Sequence, residues 1–312
     1  MTLNRSQFAI NTLQWTDLAR GWEFDDPAFL DKQPRVLREA AEAGFSAVML
    51  EVLTTQTIRS YRRLIDQVGV QVAPGYVQIR LPEAHGVALT PGSAEEFHWF
   101  DGVRRRADET HALGLDTVFL SAEMVTGGGM SRFDEVAGVG HDFDPARLER
   151  YTDLIGRAAE ILTAEGIRPA FHNHVGSWVE TQQEVEHVLD AIPDSVLGAG
   201  FDLGHLFWAG ADVTGLLRRY RDRIAALHVK DLDVERVRHL QADPGPYTSS
   251  TDGLFLEPGL GGVPLLDHLG ELPETFDGWI IVEVDRPSMA PLASARASWK
   301  WVETNFPAAA TA

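Results

Sequence analysis

Eight short apolar segments, separated by helical patterns, are the sequence feature that most constrains the fold. Between them, apolar residues recur three and four positions apart, as in Val36-Leu37-Ala40-Ala41, which is typical of helices packed on one face. Alternating strands and helices without a long linker predict a parallel sheet, and eight strands predict a single-domain (β/α)₈ TIM barrel over residues 1–312. An open doubly wound sheet would need a Gly-rich loop after the first strand, where Asn11-Thr12-Leu13-Gln14-Trp15 stands instead. The predicted strands are Phe8–Leu13, Ala47–Val52, Gln71–Gly75, Thr117–Ser121, Arg168–His172, Leu197–Asp202, Ala225–Val229 and Trp279–Glu283.

Composition excludes several classes of protein. The chain has no cysteine, so disulfides and thiolate metal sites are ruled out. A formal net charge of −19 opposes binding to nucleic acid, because most non-specific affinity for DNA comes from Lys and Arg. No apolar run is long enough for a membrane span, and no signal peptide is visible at the N-terminus, so we expect a cytoplasmic protein.

Two long segments interrupt the alternation. Val125–Asp144 follows the fourth strand, and Asp233–Gly262 follows the seventh. Both are predicted to lie on the C-terminal face of the barrel, where barrel enzymes build their sites and where long loops often act as lids.

Polar side chains end several of the predicted strands. Asp202, His228 and Glu283 close successive strands, so they meet around one barrel mouth. Carboxylate and imidazole ligands without sulfur suit a divalent metal ion, with Mn²⁺ preferred and Co²⁺, Mg²⁺, Fe²⁺ or Zn²⁺ as alternatives. His172 and Glu123 compete for the fourth ligand position. We prefer His172 because its strand adjoins the others, and Glu123 is kept as a catalytic candidate.

Other strand-end residues share these faces. His172 and His174 are two residues apart, so both side chains point into the barrel mouth. His228 and Lys230 also share a face, whereas Asp231 points away, in a position to cap the following loop. The sequence has lysine only at positions 32, 230 and 300, and one of these three, Lys230, lies among the polar strand-end residues.

In these motifs the chain resembles the xylose isomerase-like sugar isomerase and epimerase superfamily, and within it the inosose dehydratase-like branch. The likeness covers nearly the whole chain. It departs from many members in having His172 where they have glutamate, and in the longer Gly-Leu-Gly-Gly of the Pro258 loop. The matching segments are Phe171-His172-Asn173-His174-Val175-Gly176-Ser177, Asp202-Leu203-Gly204-His205, Ala209-Gly210-Ala211-Asp212, His228-Val229-Lys230-Asp231, Pro258–Gly262 and Gly278–Glu283.

The resemblance implies one divalent metal ion on His172, Asp202, His228 and Glu283, and proton abstraction next to a carbonyl group. His174 is the predicted acid or base, and Lys230 and His205 orient the substrate or its leaving group. The expected reaction is a β-elimination on a keto-polyol or keto-sugar. Further residues assigned to substrate binding are Glu51, Trp15, Tyr76, Trp178, Trp208 and Arg286.

The sequence leaves alternatives open. A ketose epimerase or isomerase would use the same metal chemistry, and a 3-oxo-glycoside lyase would eliminate an aglycone with the help of a small second subunit. An apurinic-site endonuclease and an inactive binding module fit less well. The substrate, and the choice between a homo-oligomer and a partner subunit, are not fixed by the sequence.

Overall fold

The computed structural model describes residues 3–16, 28–124 and 130–308. Parallel strands form the wall of a barrel, and a short antiparallel hairpin (β9 with β10) stands outside it. The strands are β1 (Phe8–Ile10), β2 (Ala47–Met49), β3 (Gln71–Ala73), β4 (Tyr76–Ile79), β5 (Thr117–Ala122), β6 (Arg168–His172), β7 (Gly198–Ala199), β8 (Leu227–Val229), β9 (Asp231–Leu232), β10 (Phe255–Leu256) and β11 (Ile280–Val282).

The wall consists of two parallel sheets, ordered β3-β2-β1-β11-β8 and β4-β5-β6-β7. Phe8 pairs with Ile280, so the first barrel strand lies beside the last. The bridge between Asp202 and His228 joins β7 to β8. The third barrel position is divided into β3 and β4 by Pro74, which has no N–H to donate, and Gly75, where a Cβ would lie 2.7 Å from the carbonyl oxygen of Leu50. The predicted eight-stranded barrel is confirmed.

Helices surround this wall. In α6 the apolar positions three and four apart, among them Tyr151, Leu154 and Ile155, are buried as predicted. No described helix combines the length and the apolar character needed to cross a membrane. The helices are α1 (Phe29–Ala43), α2 (Ile58–Val68), α3 (Ala94–Trp99), α4 (Asp101–Ala112), α5 (Ser131–Asp134), α6 (Pro145–Ala164), α7 (Gln182–Ala191), α8 (Leu203–Trp208), α9 (Val213–Arg219), α10 (Val234–Ala242), α11 (Tyr247–Ser250), α12 (Leu265–Gly270) and α13 (Pro291–Asn305), with 3₁₀ turns at Arg5–Gln7, Thr12–Trp15, Pro82–His85 and Arg221–Arg223.

Several strands end earlier than predicted. β1 stops at Ile10, because the Asn11 side chain accepts a hydrogen bond from the Leu13 N–H and starts a 3₁₀ turn. β7 contains only two residues, because the chain turns into α8 with Asp202 as its N-cap. Both changes lie at the C-terminal ends of strands.

The two long loops meet on this face of the barrel. Phe133 of the first loop stacks on Tyr247 of the second, with ring centroids 5.0 Å apart and planes at 24°. Residues 125–129 of the first loop lie outside the described residues. As predicted, Asp231 caps the second loop. Its carboxylate accepts the N–H groups of Leu232, Gly259, Gly261 and Val263.

Candidate active site

A first cluster of three side chains lies at the C-terminal ends of neighbouring strands. His172 ends β6, Asp202 follows β7, and His228 lies in β8. One possible ligand atom of each side chain lies within 4.8 Å of those of the other two, and all three residues are buried. The structure therefore brings together three of the four predicted metal ligands.

The orientation of His172 is fixed by the backbone. Its Nδ1 donates to the carbonyl oxygen of Gly200 at 3.2 Å, so its Nε2 carries a lone pair. Hydrogen bonding of one ring nitrogen to a carbonyl is the usual way in which a protein orients a histidine ligand. This nitrogen faces the hydroxyl group of Tyr76 at 3.2 Å.

Glu283, the fourth predicted ligand, lies beside the cluster. Its Oε2 accepts a hydrogen bond from His228 Nδ1 at 2.5 Å, and its Oε1 lies 3.0 Å from Lys230 Nζ. Burial alone would raise the pKa of Glu283, but Lys230 and His228 hold it below its ordinary value. Glu283 is therefore an anion that orients His228.

Asp202 is the residue whose surroundings best fit a bound cation. Its Oδ1 caps α8 by accepting the N–H of His205 at 2.9 Å. Its Oδ2 accepts no hydrogen bond from the part of the chain that the structure describes, although Lys230 Nζ lies 3.3 Å away. Burial raises the pKa of Asp202 to about 7, against the opposing effect of Lys230. A buried carboxylate with a free oxygen beside two imidazoles fits a divalent metal ion.

A second cluster lies next to the first and consists of His174, His205 and Asp285. The imidazole rings of His174 and His205 contact each other, with centroids 3.6 Å apart and planes tilted by 41°. Asp285 Oδ2 lies 3.7 Å from His174 Nε2 and 3.4 Å from His205 Nε2. His174 Nδ1 donates to the Val175 carbonyl oxygen at 2.7 Å, which orients the ring so that Nε2 is on the side of Asp285.

Lys230 lies between the two clusters. Its ammonium group donates to Asp285 Oδ1 at 2.5 Å and to His205 Nε2 at 2.9 Å. Burial alone would lower the pKa of Lys230, but the carboxylates of Asp202, Asp285 and Glu283 raise it above its ordinary value. Burial also lowers the pKa of His205 well below the usual range, so its neutral ring accepts the hydrogen bond from lysine.

Aromatic rings from both long loops cover the second cluster. The Tyr247 hydroxyl group donates to Asp285 Oδ2 at 2.9 Å, and its ring stacks on Trp208 with centroids 5.5 Å apart. Phe133 also stacks on Tyr247, and all three aromatic residues are buried. The cover excludes water from the hydrogen bonds of Asp285.

Sequence reasoning missed Asp285 and Tyr247. Asp285 carries a signal, because it lies two residues after Glu283 and a strand points alternate residues to the same side. Tyr247 carries none, since it reaches the site from a long loop whose path no periodic pattern describes.

Glu123 lies elsewhere. Its carboxylate accepts hydrogen bonds from the Leu81 N–H at 2.8 Å and the Tyr151 hydroxyl group at 3.2 Å, and pairs with His85 at 2.7 Å. These contacts tie the end of β5 to α6 and to the segment after β4. They do not favour Glu123 as the fourth ligand or as a catalytic residue.

The four aromatic residues predicted to bind the substrate through apolar contacts have varied surroundings. The Trp15 indole N–H donates to Glu39 of α1 at 2.6 Å, and Trp178 lies 3.6 Å below the guanidinium group of Arg147. Trp208 belongs to the aromatic cover. Tyr76 contacts the first cluster through its hydroxyl group, which lies 3.2 Å from His228 Nε2 and 3.3 Å from Glu283 Oε2. Tyr76 therefore presents a polar group to the site rather than an apolar face.

Glu51 and Arg286 are the remaining predicted contacts. The backbone of Glu51 is held by Gln33 and Tyr61, and its side chain is half-buried. Arg286 is exposed and pairs with Asp252 of the second long loop at 3.3 Å. Their roles in substrate binding stay predictions.

The barrel and its polar strand ends define a class. Residues 37–305 match the family described as xylose isomerase-like TIM barrel, and the chain belongs to that family.

Relatives agree with this assignment. An inosose dehydratase of Geobacillus kaustophilus (strain HTA426) is 29% identical over 314 residues, which cover 97% of this chain and 95% of the relative. Among solved structures, the probable 3-DHS dehydratase AsbF of Bacillus anthracis superposes with a TM-score of 0.64 at 15% identity, over 96% of this chain and 99% of that one. The IolI protein with a binding zinc atom superposes with a TM-score of 0.60 at 14% identity, over 96% and 99% of the two chains. The chain is an enzyme of the lyase or the isomerase and epimerase type.

Proposed function

We propose that this protein is a divalent-metal-dependent lyase that removes water from a keto-polyol or keto-sugar. The observation that carries the proposal is the juxtaposition of two buried clusters, one with the ligand chemistry of a metal site and one with the imidazoles of a proton-transfer site. The relative named inosose dehydratase supports an inosose as the first substrate to test.

His172, Asp202, His228 and Glu283 would hold the ion, with Mn²⁺ preferred. When bound, a divalent ion stabilises the negative charge that develops on a substrate oxygen as the neighbouring C–H bond is broken. Asp202 contributes the free carboxylate oxygen, and His172 contributes an Nε2 oriented by Gly200.

His174 is assigned as the base. Its Nε2 lone pair accepts the proton from the carbon next to the carbonyl group, and the electrons of that C–H bond form a C=C bond as the C–O bond β to the carbonyl breaks. The departing hydroxyl group takes this proton from the protonated His174 and leaves as water, which restores the neutral base. Lys230 and His205 orient that hydroxyl group from the second cluster.

The test is turnover of an inosose by the Mn²⁺-loaded enzyme in D₂O. Product that has lost one water, seen by mass spectrometry, supports the lyase. Recovered ketose that carries deuterium on carbon without loss of water would show a ketose epimerase or isomerase instead. If a 3-oxo-glycoside loses its aglycone while inososes do not react, the substrate class is wrong. A cytoplasmic location and a small-molecule sugar or polyol substrate are part of the same proposal.

A further inference from the structure

The two clusters have similar sets of possible ligands but different contacts with Lys230. Each offers two histidines and one carboxylate within 4.8 Å. The ammonium group of Lys230 contacts two members of the second cluster, Asp285 Oδ1 at 2.5 Å and His205 Nε2 at 2.9 Å. Among the four proposed metal ligands it lies near the carboxylates, at 3.0 Å from Glu283 Oε1 and 3.3 Å from Asp202 Oδ2, and the contact with Asp202 lacks hydrogen-bond geometry.

The backbone is shaped to admit this lysine. A Cβ at Gly204 would lie 2.5 Å from the Cβ of Lys230, so a larger residue there would displace the lysine stem. The lysine side chain is fully buried. A buried ammonium group is stable only where anions and acceptors surround it, as Asp202, Glu283 and Asp285 do here.

The charges of the two clusters limit the number of metal ions. When all three carboxylates are ionised, as metal binding requires of Asp202 and Glu283, they and the ammonium group of Lys230 have a formal net charge of −2. One divalent ion makes the buried site neutral, whereas two would leave two uncompensated positive charges, which is costly away from water.

We propose that the ammonium group of Lys230 takes the place of a second metal ion, so that the chain binds a single divalent ion at the first cluster. His205 Nε2 accepts the hydrogen bond from Lys230, so its lone pair is not available to an ion. His174 Nε2 then stays available for proton transfer. The inference rests on the proposed function, because it assumes that the first cluster binds metal.

The experiment counts Mn²⁺ ions per chain at saturation, by equilibrium dialysis and elemental analysis. We expect one ion in the wild-type protein and two in Lys230→Met, which keeps the unbranched stem and removes the charge. The double variant Lys230→Met with His174→Ala should return to one ion, because the second cluster then lacks a ligand. Lys300→Met is the matched control, since Lys300 is exposed and pairs only with Glu303 among the described residues, and should bind one ion.

The outcomes separate this inference from the proposed function. Two ions in the wild-type protein, or one ion in a folded Lys230→Met protein, would overturn the inference and leave the metal-dependent lyase standing. A wild-type protein that binds no ion would overturn both.

A second set of variants covers the case in which Lys230→Met does not fold. Asp285→Asn in the otherwise wild-type chain should keep its single ion, and His172→Ala should lose it. Loss of the ion from Asp285→Asn with retention in His172→Ala would place the metal in the second cluster and overturn the inference. Circular dichroism confirms that each variant is folded.

Discussion

The two clusters of the barrel mouth share residue types and burial but differ in what surrounds them. In the first, a carboxylate oxygen of Asp202 accepts no hydrogen bond from the described residues, and His172 and His228 are oriented by Gly200 and Glu283. In the second, the carboxylate of Asp285 accepts from both Lys230 and Tyr247. Ligand type alone therefore does not separate the proposed metal site from the proposed proton-transfer site. The two clusters differ in their neighbouring hydrogen-bond donors.

The largest effect is expected when the carboxylate of Asp202 is removed from the first cluster. Asp202→Asn removes the charge that attracts the ion, so we expect loss of bound Mn²⁺ and turnover below detection. Elemental analysis and an inosose assay measure the two effects. Asp153→Asn is the control, because Asp153 is exposed and pairs with Arg150. An Asp202→Asn protein that retains metal and activity would show that the first cluster is not the metal site.

A substitution in the second cluster should lower activity without loss of the metal ion. His174→Ala removes the proposed base while its backbone contacts remain, so kcat should fall by about 10²- to 10⁴-fold. The protein should still bind one Mn²⁺ ion, which elemental analysis checks. Full activity in this variant would show that His174 does not transfer the proton.

A smaller effect is expected at the cover of the second cluster. Tyr247→Phe keeps the ring that stacks on Phe133 and on Trp208 but removes the hydroxyl donor to Asp285. Loss of one hydrogen bond to a charged group corresponds to roughly 1.5–3 kcal/mol, so we expect kcat to fall by about 10-fold or more. The metal content should not change. An unaltered kcat would mean that Tyr247 only packs against the site.

The sequence predicts the barrel because strand and helix periodicity is a local property that the packed structure preserves. The sequence also predicts that His172, Asp202 and His228 lie close together, as they do, because the C-terminal ends of parallel strands meet on one face of the barrel. The role of Tyr76 could not be read in this way, since its hydroxyl group reaches the first cluster only because β4 begins after the break at Pro74-Gly75. Side chains that depend on a strand break or on a loop path leave no periodic signal.

A Glu123 variant tests whether Glu123 is excluded correctly from the metal ligands. Glu123→Gln leaves a buried amide where a carboxylate accepts from Leu81 and Tyr151, so unfolding free energy should fall by about 1–3 kcal/mol. Mn²⁺ binding should be unchanged. Urea denaturation and metal analysis measure the two properties. Loss of the ion from a folded Glu123→Gln protein would restore Glu123 as a ligand.

The smallest effect is expected at Trp15, which lies in the 3₁₀ turn after β1 and belongs to neither cluster. Its indole N–H donates to Glu39 on α1, so Trp15→Phe removes one hydrogen bond and should lower stability by about 1 kcal/mol. Because Trp15 is buried in the apolar core, we expect kcat and KM to stay at their wild-type values. Urea denaturation and steady-state kinetics separate the two effects. A raised KM with unchanged stability would support Trp15 as a substrate-binding residue that contacts neither cluster.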